Sequence, residues 1–149
     1  MKRAGFTMIE LIFVIVILGI LAAVAIPKLA ATRTDAEVSK AASDLATVVS
    51  DMGSYYTSQG TFAKLSVMTN VTSFPSADLD KGGANSDVAN FKVGGENCVK
   101  FTFNSVADGT VTLATVTGAS TAACKGLQAS SAYTNLDGEH DFGGTGVSY

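Results

Sequence analysis

Residues 11–26 are apolar at every position but Gly19. Extended back to Phe6, the segment makes about 31 Å of helix at 1.5 Å per residue, enough to cross a bilayer core of roughly 30 Å. Past Pro27 the pattern changes. Val38, Ala41, Leu45, Val48, Met52 and Tyr55 recur at alternating spacings of three and four, which is one face of a helix. Arg33, Asp35, Glu37, Lys40, Asp44 and Asp51 form the charged complement, with Glu37 and Lys40 spaced for a surface pair. The spacing predicts one helix over 7–56, apolar all round in its first half and amphipathic in its second. The second half needs a sheet to cover its stripe.

Gly60 and the Thr/Ser/Asn-rich stretch after it end that helix. Residues 57–97 read as a connecting region with short elements, punctuated by Pro75, Lys81-Gly82-Gly83 and Gly94-Gly95. Strand alternation follows. Val99, Phe101 and Phe103 alternate with Lys100, Thr102 and Asn104 over 99–106. Asp108-Gly109 supplies turn chemistry, and Val111 and Leu113 alternate with threonines over 110–117. This is a hairpin with one greasy face, suited to the helix stripe. A last strand is expected near 146–149.

Composition narrows the function. The chain has 149 residues, 47% hydrophobic. Without the apolar run the share falls to about 41%, ordinary for a globular domain. The chain is thus an apolar segment attached to one modest domain, and no second run supports a polytopic membrane protein. A formal charge of −3 gives nucleic-acid binding no electrostatic support. One His and two Cys are too few for a structural zinc site. No nucleophile stands beside a base, and His140 is the single imidazole, so the chain does not read as an enzyme. Gly143-Gly144-Thr145-Gly146 does not lead from a strand into a helix, as a phosphate loop would. Asn70-Val71-Thr72 is formally a glycosylation sequon, and the scattered aromatics are no more than a core uses.

The N-terminus carries the candidate chemistry. Lys2 and Arg3 before the span keep the N-terminus cytoplasmic under the positive-inside rule. An ordinary secretory signal would share the basic start, with Ala23-Val24-Ala25 as its cleavage site. The apolar run is too long for that, however. Glu10 also sits inside the run, where an unpaired carboxylate costs roughly 2–3 kcal/mol or more. It asks for a cationic partner, and no Lys, Arg or His lies between residues 4 and 27.

Gly5-Phe6-Thr7-Met8-Ile9-Glu10-Leu11-Ile12 resembles the cleavage signal of type IV pilins and type II secretion pseudopilins. The resemblance covers about the first 55 residues. It implies an α+β pilin fold, a long N-terminal helix with a transmembrane first half packed on a small antiparallel sheet. Residues 1–5 would be a prepilin leader, 6–27 a transmembrane and assembly helix, and 28–149 a periplasmic or extracellular globular domain. Prepilin peptidase would cut between Gly5 and Phe6 and the new Phe6 amine would be N-methylated. Glu10 would pair with the freed amine of a neighbouring subunit, neutralising both charges in the apolar filament core and setting axial register. Gly19 and Pro27 match the family's helix-loosening positions, where the stretch between them can unwind in a filament.

The resemblance also implies partners: other copies of the chain in a helical homopolymer, the membrane, an inner-membrane assembly platform and minor pilins. The subunit would cross the inner membrane once, then enter a cell-surface or periplasmic filament. A type IV pilus subunit is the first reading and a type II secretion pseudopilin the alternative. A membrane-anchored or secreted monomeric binding domain is a distant third.

Cys98 and Cys124 flank the hairpin, and two cysteines in a small exported domain read as a disulfide. Many type IV pilins carry one near the C-terminus, whereas the major pseudopilins generally lack it, which favours a pilin. Residues 135–144 are rich in oxygen ligands, and major pseudopilins bind calcium in such a loop. The Asp-Pro-Trp-Gly-type motif found there is absent, and EF-hand spacing is not met. A solvated turn is therefore the expectation, with Asp137, Glu139 and Asp141 as secondary calcium candidates and no cofactor otherwise.

Overall fold

The computed structural model describes residues 5–144. The leader positions Met1, Lys2, Arg3 and Ala4 and the expected strand at 146–149 lie outside the described residues. The chain divides into two compact units, Met1–Thr34 and Asp35–Tyr149. The first helix, α1, Met8–Gln59, supplies residues to both.

In the first unit α1 is the described element. The large apolar side chains of its described residues, from Phe6 to Leu29, are 41–92% exposed. The helix is long and apolar enough to cross a membrane. It runs through Gly19 and Pro27 without a break, although Pro27 has no N–H for the Ala23 carbonyl.

In the second unit the rest of α1 packs on a sheet. Ala41, Leu45, Val48 and Met52 are buried, and Val38 and Tyr55 pack at the margin. The stripe read from the sequence is therefore the core face. The helix continues to Gln59, beyond the predicted 56. Gly60, at φ +71°, ends it in a left-handed cap and donates to the Tyr56 carbonyl at 2.7 Å. Lys40 bridges to Asp44 one turn on at 2.6 Å. The i,i+4 geometry brings the ammonium onto the carboxylate.

A short helix α2, Leu65–Met68, precedes four strands: β1, Val88–Val93; β2, Glu96–Ser105; β3, Thr110–Thr115; and β4, Gly138–Asp141. Two further helices, α3, Ala122–Gln128, and α4, Ser131–Thr134, lie between β3 and β4. The order is β1-β2-β3-β4, antiparallel throughout. Ala89, Phe91, Val99, Phe101, Phe103, Val111 and Leu113 turn into the core. Edge-on ring contacts add two aromatic groups, Phe74 with Phe91 and Phe101, and Phe62 with Tyr56, Phe103 and Phe142.

Two expectations are corrected. The connecting region hides β1, whose Ala89, Phe91 and Val93 alternate inward. The stretch expected as a solvated turn contains β4, held by registers from Thr110↔Asp141 to Leu113↔Gly138. Its polar sequence reflects an edge strand with only four residues, whose outward positions are carboxylates.

Candidate functional site

The site begins where α1 begins. Residues 5–7 are not helical, and Phe6 is 92% exposed. Thr7 is the N-cap: its carbonyl takes the first helical bond, from the Leu11 N–H at 3.2 Å. Glu10 stands at the third helical position. The Thr7 N–H and Thr7 Oγ1 both donate to Glu10 Oε2, at 2.8 and 2.7 Å, and the Glu10 N–H donates to Thr7 Oγ1 at 3.4 Å. This reciprocal arrangement is a capping box. It satisfies two helix-end donors and sets the carboxylate at the positive end of the helix dipole.

The capping box changes the reading of Glu10. Its partner within the chain is not a distant cation but the Thr three residues upstream, and Thr-x-x-Glu ahead of an apolar run is a local signal of this motif. The hydrogen bonds fall on Oε2, and among the described residues none falls on Oε1. Thr7 and Glu10 both follow the Gly5–Phe6 bond, so a cut there leaves the box intact. One carboxylate oxygen is then committed within the chain and the other is open to a second donor.

Gly5 and Gly19 are not explained by packing within the chain. A Cβ added at either would meet no atom within 4 Å. Contrast Gly126, where a Cβ would come within 2.8 Å of Val38. At Pro27, the last position of the predicted span, the helix lacks one internal bond. Further on, Thr32 Oγ1 and Thr34 Oγ1 return to the carbonyls of Leu29 and Ala30, at 2.9 and 3.3 Å.

In the second unit the structure joins Cys98 and Cys124, whose Cα atoms are 5.6 Å apart, tying β2 to α3. A carboxylate clamp reinforces the same join. Gly94 (φ +61°) and Gly95 (φ +85°) make the two-residue turn between β1 and β2, which sets Glu96 opposite Val93. Glu96 accepts from the N–H groups of Thr121 and Ser120, at 2.9 Å each. These bonds, Thr121's first, hold its pKa down to about 2. Gln128 Nε2 donates across to the Cys98 carbonyl at 2.9 Å.

Asp137, Glu139 and Asp141 are not brought together. Asp137 Oδ1 accepts from the Tyr133 hydroxyl at 2.6 Å. Burial pushes the Tyr133 phenol up, and this bond adds to the shift. Glu139 and Asp141 lie exposed along β4, and Asp141 takes the Gly143 N–H at 3.0 Å. Among the described residues no three His, Cys, Asp or Glu side chains gather as metal ligands.

Residues 1–26 match the family described as the prokaryotic N-terminal methylation motif. The chain is also 39% identical over 54 residues to the type II secretion system core protein G of Dickeya chrysanthemi, an overlap of 36% of this chain and 35% of that protein. The match thus spans about a third of that relative's length. No solved structure matches the chain.

Proposed function

We propose, from the prepilin-type N-terminal segment that puts this chain in the type IV pilin and pseudopilin family, that it is a structural subunit of a type IV pilus-like filament. The observation that carries this is the join of three features in one segment. A Gly–Phe bond lies exposed ahead of the helix, a capped Glu10 follows, and a wholly exposed apolar cylinder follows that. The cylinder suits two successive surroundings, lipid tails and then the helices of other subunits, and because both are apolar the transfer costs little.

The steps follow from the residues. Prepilin peptidase cuts after Gly5 and frees the Phe6 amine, which is N-methylated. That amine meets Glu10 of a neighbour at the Oε1 atom the capping box leaves open. The pair removes two charges that are each costly in an apolar core and sets the axial offset between subunits. Gly19 and Pro27 are where α1 yields as it enters the filament. The disulfide supports a pilin. A type II secretion pseudopilin is the second reading, favoured by the similarity to core protein G.

Intact mass spectrometry of the protein from native membranes or sheared filaments tests the proposal. The expected mass begins at Phe6, carries one methyl group and lacks two hydrogens for the disulfide. A mass beginning at Met1, or beyond Ala25, overturns it. Electron microscopy of the same cells separates the readings, because long surface filaments support the pilus and their absence supports the pseudopilus.

A further inference from the structure

Residues 69–73 form a strap along α1, outside any helix or strand. Buried Thr69 fixes one end, its hydroxyl donating to Asp51 Oδ2 at 2.7 Å. Ser73 fixes the other. Its hydroxyl donates to Asp44 Oδ2 at 3.0 Å, and its carbonyl accepts from the Lys92 N–H at 2.7 Å. Asp44 and Asp51 are two turns apart on α1, so the strap runs opposite to the helix with both ends held.

Between these anchors Asn70 and Thr72 are exposed and Val71 is half-buried. This is the alternation of an extended chain, in which residues two apart share a side. Thr69 opens it with extended backbone, at φ −142° and ψ 152°. Asn70 and Thr72 therefore stand together on the outer side. The strap is a ridge between two surface hollows, and residues 70–72 line both. One, of about 370 Å³, holds Asp44 and Asp51, and the other, of about 270 Å³, holds Phe74 and Leu79.

The outer groups are chemically free. Among the described residues the Asn70 amide and the Thr72 hydroxyl have no hydrogen-bond partner. Other asparagines are committed: Asn85 Oδ1 accepts from the Val106 N–H, and Asn90 and Asn104 donate through Nδ2 to Asp78 and Thr112. Asn70 is also the asparagine with a hydroxyl residue two positions on and no proline between.

We propose that Asn70 is an N-linked glycosylation site, with Thr72 as the hydroxyl by which a transferase reads it. The donor is a glycan on a lipid pyrophosphate. Asn70 Nδ2 bonds to the anomeric carbon of the first sugar and gives up one proton to a base of the transferase. The bond from that carbon to the pyrophosphate oxygen breaks, and the lipid pyrophosphate leaves with the electron pair. No oxidant or reductant is needed. Attachment breaks no hydrogen bond and enters no core space, so the finished fold accepts it. The proposal rests on the export of the second unit in the reading above, and not on filament assembly.

Peptide mass spectrometry of the protein from its native membranes tests this. Trypsin releases Leu65–Lys81, which carries the whole strap. The expected peptide is heavier than its sequence by a glycan, and fragmentation places that mass on Asn70. Asn70→Gln and Thr72→Ala should each lose the added mass, and Thr72→Ser should keep it. Urea midpoints near that of the parent chain certify that the variants fold. A peptide 65–81 of unmodified mass overturns the proposal. So does an added mass that survives Asn70→Gln, which assigns it to a hydroxyl of the same peptide. An unmodified peptide in a chain that begins at Phe6 removes this inference and leaves the filament reading standing, whereas a glycan on Asn70 in a chain that begins at Met1 does the reverse.

Discussion

Thr7 and Glu10 close a reciprocal cap on α1, with the Thr7 N–H and hydroxyl both on Glu10 Oε2, at 2.8 and 2.7 Å. Glu10 is thereby a helix-capping residue before any neighbour meets it. Its two roles separate by mutation. Glu10→Gln keeps a capping acceptor and loses the charge. It should leave membrane insertion intact and reduce filament yield severely, read by fractionation and by shearing. Thr7→Ala should weaken the helix start by about 1 kcal/mol while sparing the charge. Normal filament yield from Glu10→Gln would remove the ion pair from the assembly argument.

Glu96 predicts an acid response. Its carboxyl has a folded pKa of about 2 against an ordinary 4.5. A depressed carboxyl stabilises the fold above the ordinary value and loses that contribution as pH falls towards the folded one. The join of the β1–β2 turn to residues 120–121 should therefore weaken between about pH 4.5 and 2. Thermal melts should show this loss in the native chain and a smaller one in Glu96→Gln. High salt should shrink the difference, because the carboxylate is near solvent.

The disulfide closes a loop with a sequence separation of 26. Cys98→Ala with Cys124→Ala should cost about 3–4 kcal/mol on the chain-entropy estimate. Urea titration of the oxidised protein and the variant measures this. A cost near zero would mean that Glu96 and Gln128 hold α3 to β2 without the bridge.

Among the described residues Ser86 is the one non-glycine residue with a positive φ, at +65°, and its N–H donates to the Phe103 carbonyl at 2.7 Å. The left-handed region costs an ordinary side chain about 1–2 kcal/mol. Glycine gives back part of this through its freer unfolded chain. Ser86→Gly should therefore raise the melting midpoint modestly or leave it level, whereas Ser86→Val should lower it clearly.

Leu45 is fully buried on the helix stripe. Leu45→Ala should destabilise the second unit by about 2–5 kcal/mol, read in the same titrations. Ala46→Leu, one position away on an exposed site, should change stability little.

Along α1 the sequence alone determined most of what the structure contains. An apolar run of membrane length, a stripe at spacings of three and four and a closing Gly60 are local periodic signals, so they survive without knowledge of what packs on them. The β2–β3 hairpin was legible for the same reason. The capping box was equally local, and its Thr-x-x-Glu spacing was available to be read. What only the tertiary structure decided lies between residues far apart in the chain. β1 and β4 are short, and their polar outward positions mask the alternation until β2 and β3 supply partners. Glu96 becomes a clamp because a two-glycine turn swings it onto residues 120 and 121. Asp137 serves Tyr133 because α4 buries that ring one turn away. Local pattern encodes which face of an element is buried. Which elements meet on that face depends on contacts that form only when the chain has folded.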